Sequence, residues 1–393
     1  MTILHAGTVL TPEERLARRK LIIRDTISLL TLFLITSVIL VLTWLLHRSF
    51  EDHREELGNR WRHRGEIALQ QNRPQEAVEA LRSALAYVPN RQTEIDLAMA
   101  LAQAGRTIEA TSYFNTLWEA APGDAIINLQ LARLAVKAGN EPVAVRHYQA
   151  AIDGTWQGNG FDRRREVRLE LARYYISRHE PDRARTQLLI AASNAPDDPS
   201  IKLGIAALLE KANDLPNALG VYRSLAALKP QPLGALAGAG RTAFNLGMYR
   251  VAADYLSRLM AHSAQLPAEE KNAARAMLDT SSRILLLYPA YDQPARIRAQ
   301  RLLNARNIAH QRLTSCATDH SVTPQIAALI TRWGQVPARL TVQQLEQKPD
   351  LEQTILQLVY DTETTTAQTC GAPSGDDALL LRIAQNPAAV EQD

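Results

Sequence analysis

One pattern limits what this chain can fold into. Four columns of residues return together six times, at an interval of about 34. Small residues stand at Gly65, Ala98, Ala132, Ala172, Ala206 and Gly240. Twelve positions later come Ala77, Ala110, Ala144, Ala184, Ala218 and Ala252, and four further on Leu81, Phe114, Tyr148, Leu188, Tyr222 and Leu256. Between the first two sets lie Asn72, Gly105, Gly139, His179, Asn213 and Gly247. The alanine column advances by 33, 34, 40, 34 and 34 residues, so an insertion interrupts the third interval. A small residue at two fixed places lets two antiparallel helices touch closely. A large apolar residue one turn beyond the alanine faces the same core. Gly or Asn between them suits a left-handed residue that ends the first helix. Pro89, Pro122, Pro196 and Pro230 close four of the units, where a second helix must stop. These columns predict an all-α chain of helix pairs.

The pattern resembles the tetratricopeptide repeat, a helix–turn–helix unit of about 34 residues. The segment Trp61–Asn90 shows that family's Trp, Gly, Ala, Leu, Ala and Pro in order. Six units cover Gly58 to Leu266, with a weaker helical pair expected over Pro267–Leu287. The third unit has Trp156 where Pro is expected, the fourth has His179 at its turn, and the sixth lacks a Pro in register. The resemblance implies a helical solenoid that binds protein partners, with the first helix of each unit lining the concave face. Its register puts Arg62, Asp96, Gln130, Arg133, Lys137, Arg173, Lys211, Arg241 and Asn245 on that face. The stripe Arg133, Lys137, Arg173, Lys211 and Arg241 is basic, interrupted by Glu210. It would attract an acidic peptide or a C-terminal carboxylate through charge-assisted bonds. The competing reading is a row of ordinary solvated side chains.

From Thr26 to Leu46 the chain has no charge, Gly or Pro. At 1.5 Å per residue such a run crosses a hydrocarbon core of about 30 Å. The expected plan is a basic segment over 1–25, one transmembrane helix over 26–46, a linker over 47–57, repeats over 58–290 and a helical C-terminal cap or small domain over 291–393. Arg15, Arg18, Arg19, Lys20 and Arg24 precede the run, whereas acidic residues dilute the charges just after it. The positive-inside rule then keeps the N-terminus in the cytoplasm of a bacterium and sends the bulk, with Asp393, to the periplasm. The expected function is a membrane-anchored interaction scaffold in envelope assembly, secretion or a membrane complex. The alternatives are a cytoplasm-facing adaptor regulating a membrane enzyme, or a component of exopolysaccharide export.

The insertion falls in Gly154–Arg165, where Trp156 and Phe161 are either a plug between repeats or a ligand platform. The tail predicts helices at Ala295–Cys316, Thr323–Trp333, Asp350–Asp361 and Asp376–Gln385, and a loop at Thr362–Gly375. Cys316 and Cys370 are the only cysteines. Outside the cytoplasm they are candidates for one disulfide, and otherwise for buried thiols. Two cysteines cannot make a Cys-rich zinc site, and a net charge of +3 gives no ground for a nucleic-acid binder. The chain has no H-E-x-x-H, C-x-x-C, G-x-S-x-G or phosphate-loop motif. Gly238-Ala-Gly240-Arg-Thr-Ala243 is a partial dinucleotide fingerprint, but it lies inside a repeat helix with no strand before it. The expectation is therefore a non-enzymatic protein with no cofactor or metal.

Overall fold

A computed structural model describes residues 12–387; the expectations placed on residues 1–11 and on Asp393 lie outside them. Among the described residues the chain is helical without a strand. It divides into two compact units, Met1–Gly158 and Asn159–Asp393.

The first unit contains α1 (Pro12–Gln70), α2 (Pro74–Tyr87), α3 (Arg91–Gln103), α4 (Thr107–Ala120), α5 (Ala125–Lys137) and α6 (Glu141–Asp153). The second opens with α7 (Gly160–Ser177), α8 (Pro181–Ser193), α9 (Pro199–Lys211), α10 (Leu215–Ala226), α11 (Leu233–Leu246) and α12 (Tyr249–Met260). It continues through α13 (Ala268–Leu287), α14 (Ala295–Asp319), α15 (Pro324–Gly334), α16 (Val342–Glu346), α17 (Pro349–Thr369) and α18 (Gly375–Gln385).

Each repeat column has the role its chemistry suggests. All six alanines of the second column are 0% exposed. The first column meets the third: a Cβ on Gly65 would stand 2.6 Å from Leu81 Cγ, and one on Gly240 2.7 Å from Leu256 Cγ. The turn residues Asn72, Gly105, Gly139, His179, Asn213 and Gly247 all have positive φ, between 56° and 81°. After each of them the next backbone N–H closes a six-residue ring onto the helix just ended, as in Arg73 to Ala68 O at 2.8 Å and Met248 to Ala243 O at 2.9 Å. That bond satisfies a carbonyl the helix leaves open. Second helices start on side-chain or proline signals: Asn140 caps α6, and Pro74 and Pro181 sit in the first turns of α2 and α8.

Three expectations need correction. Residues 47–57 are not a linker, because α1 runs unbroken from the apolar segment into the first repeat. Arg54 donates to Tyr87 O at 2.7 Å, and Gly58 faces Val88, so α2 packs on α1 within the stretch expected to be a linker. Pro267–Leu287 does not form a helical pair but the single helix α13. Most of Thr362–Gly375 is helix, not loop, since α17 continues to Thr369. Threonine is a poor helix former in isolation. Here Thr362 and Thr366 are fully buried, and their hydroxyls donate to Leu358 O at 2.7 Å and Thr362 O at 2.8 Å. Trp333 Nε1 donates to Thr362 Oγ1 at 2.9 Å. Tertiary burial thus overrides local preference.

The C-terminal helices share one core with the last repeat. Tyr249, Ile284 and Tyr288 are buried with Leu302, Leu313, Trp333 and Leu358. Cys316 and Cys370 pair within it, their Cα atoms 5.7 Å apart.

Candidate partner-binding surface

In the first unit the inferred face is mixed in charge. Arg62 on α1 pairs with Glu66 at 3.7 Å. Asp96 on α3 accepts a bond from Gln92 at 3.0 Å. Burial pushes the Asp96 carboxyl up, and Glu66 adds to the push, against the Gln92 bond and Arg62. Gln130 is half-buried on α5, and Arg133 is exposed. Lys137 reaches back to Ala102 O at 3.5 Å, a carbonyl in the last turn of α3. Its ammonium therefore serves the helix stack.

In the second unit Arg241 is committed to a partner. The Glu210 carboxylate accepts from Arg241 Nη2 at 2.7 Å, Arg241 Nε at 3.1 Å, Tyr222 OH at 2.8 Å and Thr242 Oγ1 at 2.8 Å. Burial raises the Glu210 carboxyl, but the bonds from Arg241, Tyr222 and Thr242 outweigh it and hold the group below its usual range. Burial and the Glu210 bond push the Tyr222 phenol well above its usual range. The bidentate pair is charge-neutral, and it joins α9, α10 and α11. Arg173 on α7 and Lys211 at the end of α9 are exposed, and among the described residues neither makes an ion pair. Asn245 is exposed one turn beyond Arg241. A cleft of about 410 Å³ opens beside Arg241, with Leu256, Leu259 and Ala274 in its wall and Glu269 at its edge.

Of the five stripe residues, Arg241 commits its charge to an ion pair with Glu210. Arg133 and Lys137 belong to the first unit and the other three to the second. The two cations that remain unpaired in one unit are Arg173 and Lys211.

The insertion also divides. Trp156 is half-buried and its Nε1 donates to Ala151 O at 2.9 Å. Thr155 pairs through its backbone with Gly123 and Ala125, at 2.9 and 3.3 Å, so the chain is pinned to the α4–α5 turn. Phe161, by contrast, is 83% exposed at the start of α7.

One buried site gave no signal in the sequence. Asn128 on α5 is 0% exposed, and its amide donates to Pro122 O and Asp124 O, both at 2.8 Å. Its Oδ1 lies 2.9 Å from His147 Nδ1 on α6, so that nitrogen carries the proton and donates. Burial, with help from Arg146, holds His147 below its usual range. Trp118 meets the imidazole edge-on at 6.0 Å. The arrangement fixes the α4–α5 turn.

Among the described residues no group of His, Cys, Asp and Glu is arranged to hold a metal ion. A tetratricopeptide-repeat family model matches residues 62–125 and 169–231. Among solved structures, Pseudomonas aeruginosa PilF overlaps 57% of this chain and 99% of its own, at 19% identity and a TM-score of 0.39. The C-terminal part of a tetratricopeptide-repeat protein from Cytophaga hutchinsonii overlaps 62% and 93%, at 14% identity and a TM-score of 0.45. Yeast Tom70 overlaps 81% of this chain and 58% of its own, at 18% identity and 0.38. No curated protein sequence matches significantly. These overlaps are loose, so the assignment rests on the family match and on the six left-handed turns and buried alanines themselves. By those features the repeats of this chain are tetratricopeptide repeats.

Proposed function

We propose that this protein is a single-pass, membrane-anchored adaptor whose repeats bind a protein partner outside the cytoplasm. The observation that carries the reading is the apolar part of α1. Leu29, Leu30, Phe33, Leu40 and Leu46 are each more than 60% exposed, and among the described residues nothing covers them. Apolar surface costs about 25 cal/mol per Å² in water, so a run of this length calls for lipid. Its hydroxyls suit that setting: Thr31, Thr36 and Thr43 donate to Ser28 O, Leu32 O and Ile39 O at 2.9, 3.0 and 2.8 Å. The basic cluster Arg15–Arg24 favours an inward N-terminus. The pairing of Cys316 with Cys370 suits an oxidising compartment.

Because α1 is continuous, the anchor is also the first helix of the first repeat. Tethering of this kind raises the effective concentration of the repeats for partners in the same membrane, as a scaffold for envelope assembly or secretion requires. Repeat solenoids offer a long surface for such contacts. For an acidic partner, the contact is expected at Arg173 and Lys211. Reversing both, with Arg173→Glu and Lys211→Glu, should abolish recovery of bound partners from the membrane fraction while leaving the fold intact, since both sites are exposed. Arg223→Glu with Lys229→Glu, two exposed cations of the second unit off the inferred face, is the matched control. Recovery of the same partners by the Arg173/Lys211 variant, at the same salt, would remove the acidic-partner reading and move the search to Phe161.

A further inference from the structure

The last helix, α18, touches parts of the second unit that are far apart in sequence. Arg382 donates to Tyr249 OH at 2.8 Å and lies 4.2 Å over the Phe244 ring. Phe244 and Tyr249 belong to the two helices of the sixth repeat, and Phe244 adjoins Asn245 on its inferred binding face. At its start, Asp376 pairs with Arg283 of α13. One helical element thus straps the last repeat to the C-terminal helices.

The strap's fastening is unusual. Glu363 on α17 is 0% exposed, and neither of its carboxyl oxygens has a donor. Asp377 on α18 has a buried oxygen in the same condition. The two carboxyls are within hydrogen-bonding reach of each other. With both ionised, two like charges would be buried side by side. With one proton between them, one carboxyl donates to the other. Burial and then Asp377 push the Glu363 carboxyl up to about 8, and burial also raises Asp377.

The remaining charges offset the rise of the pair only in part. Arg312 of α14 pulls both carboxyls down, but its Nη2 is bonded to Gly371 O at 2.7 Å and its Nε is buried without an acceptor. Asp376 adds like charge from α18 and is itself paired with Arg283 of α13. Arg382 of α18 is turned to Tyr249. Arg332 of α15 is paired with Asp361, and Glu346 of α16 is exposed.

We propose that α18 is a strap latched by a proton shared between Glu363 and Asp377, and that loss of this proton frees α18 and uncovers the Phe244–Tyr249 surface of the last repeat. Detached, both carboxyls titrate in the ordinary range near 4. Attached, the pair keeps a proton to higher pH. The attached state therefore binds more protons, so the latch is firmest below the ordinary carboxylate range and weakens as pH rises through about 8. A protein facing the outside of the cytoplasmic membrane meets external pH directly, which would make the exposed repeat surface pH-dependent.

The test is hydrogen exchange by mass spectrometry on the full chain in detergent at pH 6 and pH 8.5, with times scaled for the intrinsic rate. Protection of Gly375–Gln385 should fall about tenfold or more in the wild type between those pH values. It should change little in Glu363→Gln, which cannot ionise. Asp377→Asn is the second variant, should the first fail to fold. Arg382→Ala should loosen α18 at both pH values. Equal loss of protection in wild type and both amide variants, or wild-type protection that is constant with pH, would overturn the proposal.

Discussion

Gly238→Ala should destabilise the second unit, although alanine is the better helix former. A Cβ at this position would lie 2.3 to 2.6 Å from ring atoms of Tyr222. That ring cannot swing aside cheaply, because its hydroxyl donates to Glu210 at 2.8 Å. Moving it leaves Glu210 one donor short in a largely buried site. Overpacking costs about 1–3 kcal/mol and the lost bond about 1–3 more, against a gain of about 1 from helix propensity. A net loss of about 1–5 kcal/mol is expected. Gly220→Ala supplies the opposite sign: nothing lies within 4 Å of its added Cβ in α10, so it should stabilise by about 0.5–1 kcal/mol. Denaturant unfolding of the two full-length variants checks both, and an equal shift in one direction would refute the packing described.

Asn128→Leu should cost a similar amount in the first unit. The leucine fills the space but leaves Pro122 O and the His147 Nδ1–H buried without partners, at about 2–4 kcal/mol in all. Pairing it with His147→Leu should recover about 1–2 kcal/mol, since apolar groups on both sides leave fewer unmet donors and acceptors. The same histidine sets a pH dependence. Held below its usual range by burial, His147 takes up its proton at lower pH in the folded unit than in the unfolded chain, which protonates below about 6.5. The unfolded state then binds more protons, so stability falls as pH drops through that value. In His147→Leu this loss should disappear. The sign is opposite to that expected at Glu363, whose raised carboxyl costs stability as pH rises toward about 8.

The repeats were legible because their chemistry is local and copied. A left-handed turn demands Gly or Asn, and His179 occupies the same backbone state because its repeat imposes it. A helix contact demands a small residue, so period and register follow from six copies. The pair Gly238 and Gly240, which reads as part of a dinucleotide fingerprint, turned out to be the bed for Tyr222 and Leu256. What stayed hidden was non-local. Nothing in the order of residues says that Arg241 reaches Glu210 on another helix, or that Asn128 faces His147. Of the inferred face, Arg62, Asp96 and Gln130 are half-buried and the rest exposed, and their availability depends on partners that only packing supplies. The threonine-rich end of α17 misled for the same reason: helix propensity argues against it, and burial against Trp333 decides it.

If an apolar helix anchors these repeats on the far side of a membrane, the topology of the chain will show it. Two reporters would be fused in turn to the C-terminus of the full chain, one active only outside the cytoplasm and one active only within it. The first is expected to be active and the second silent, with both fusions recovered in the membrane fraction. Cys316 and Cys370 are expected to resist alkylation without reductant in the same preparation. An active cytoplasmic reporter with a silent external one would place the repeats in the cytoplasm, and fusions recovered as soluble protein would remove the anchor altogether.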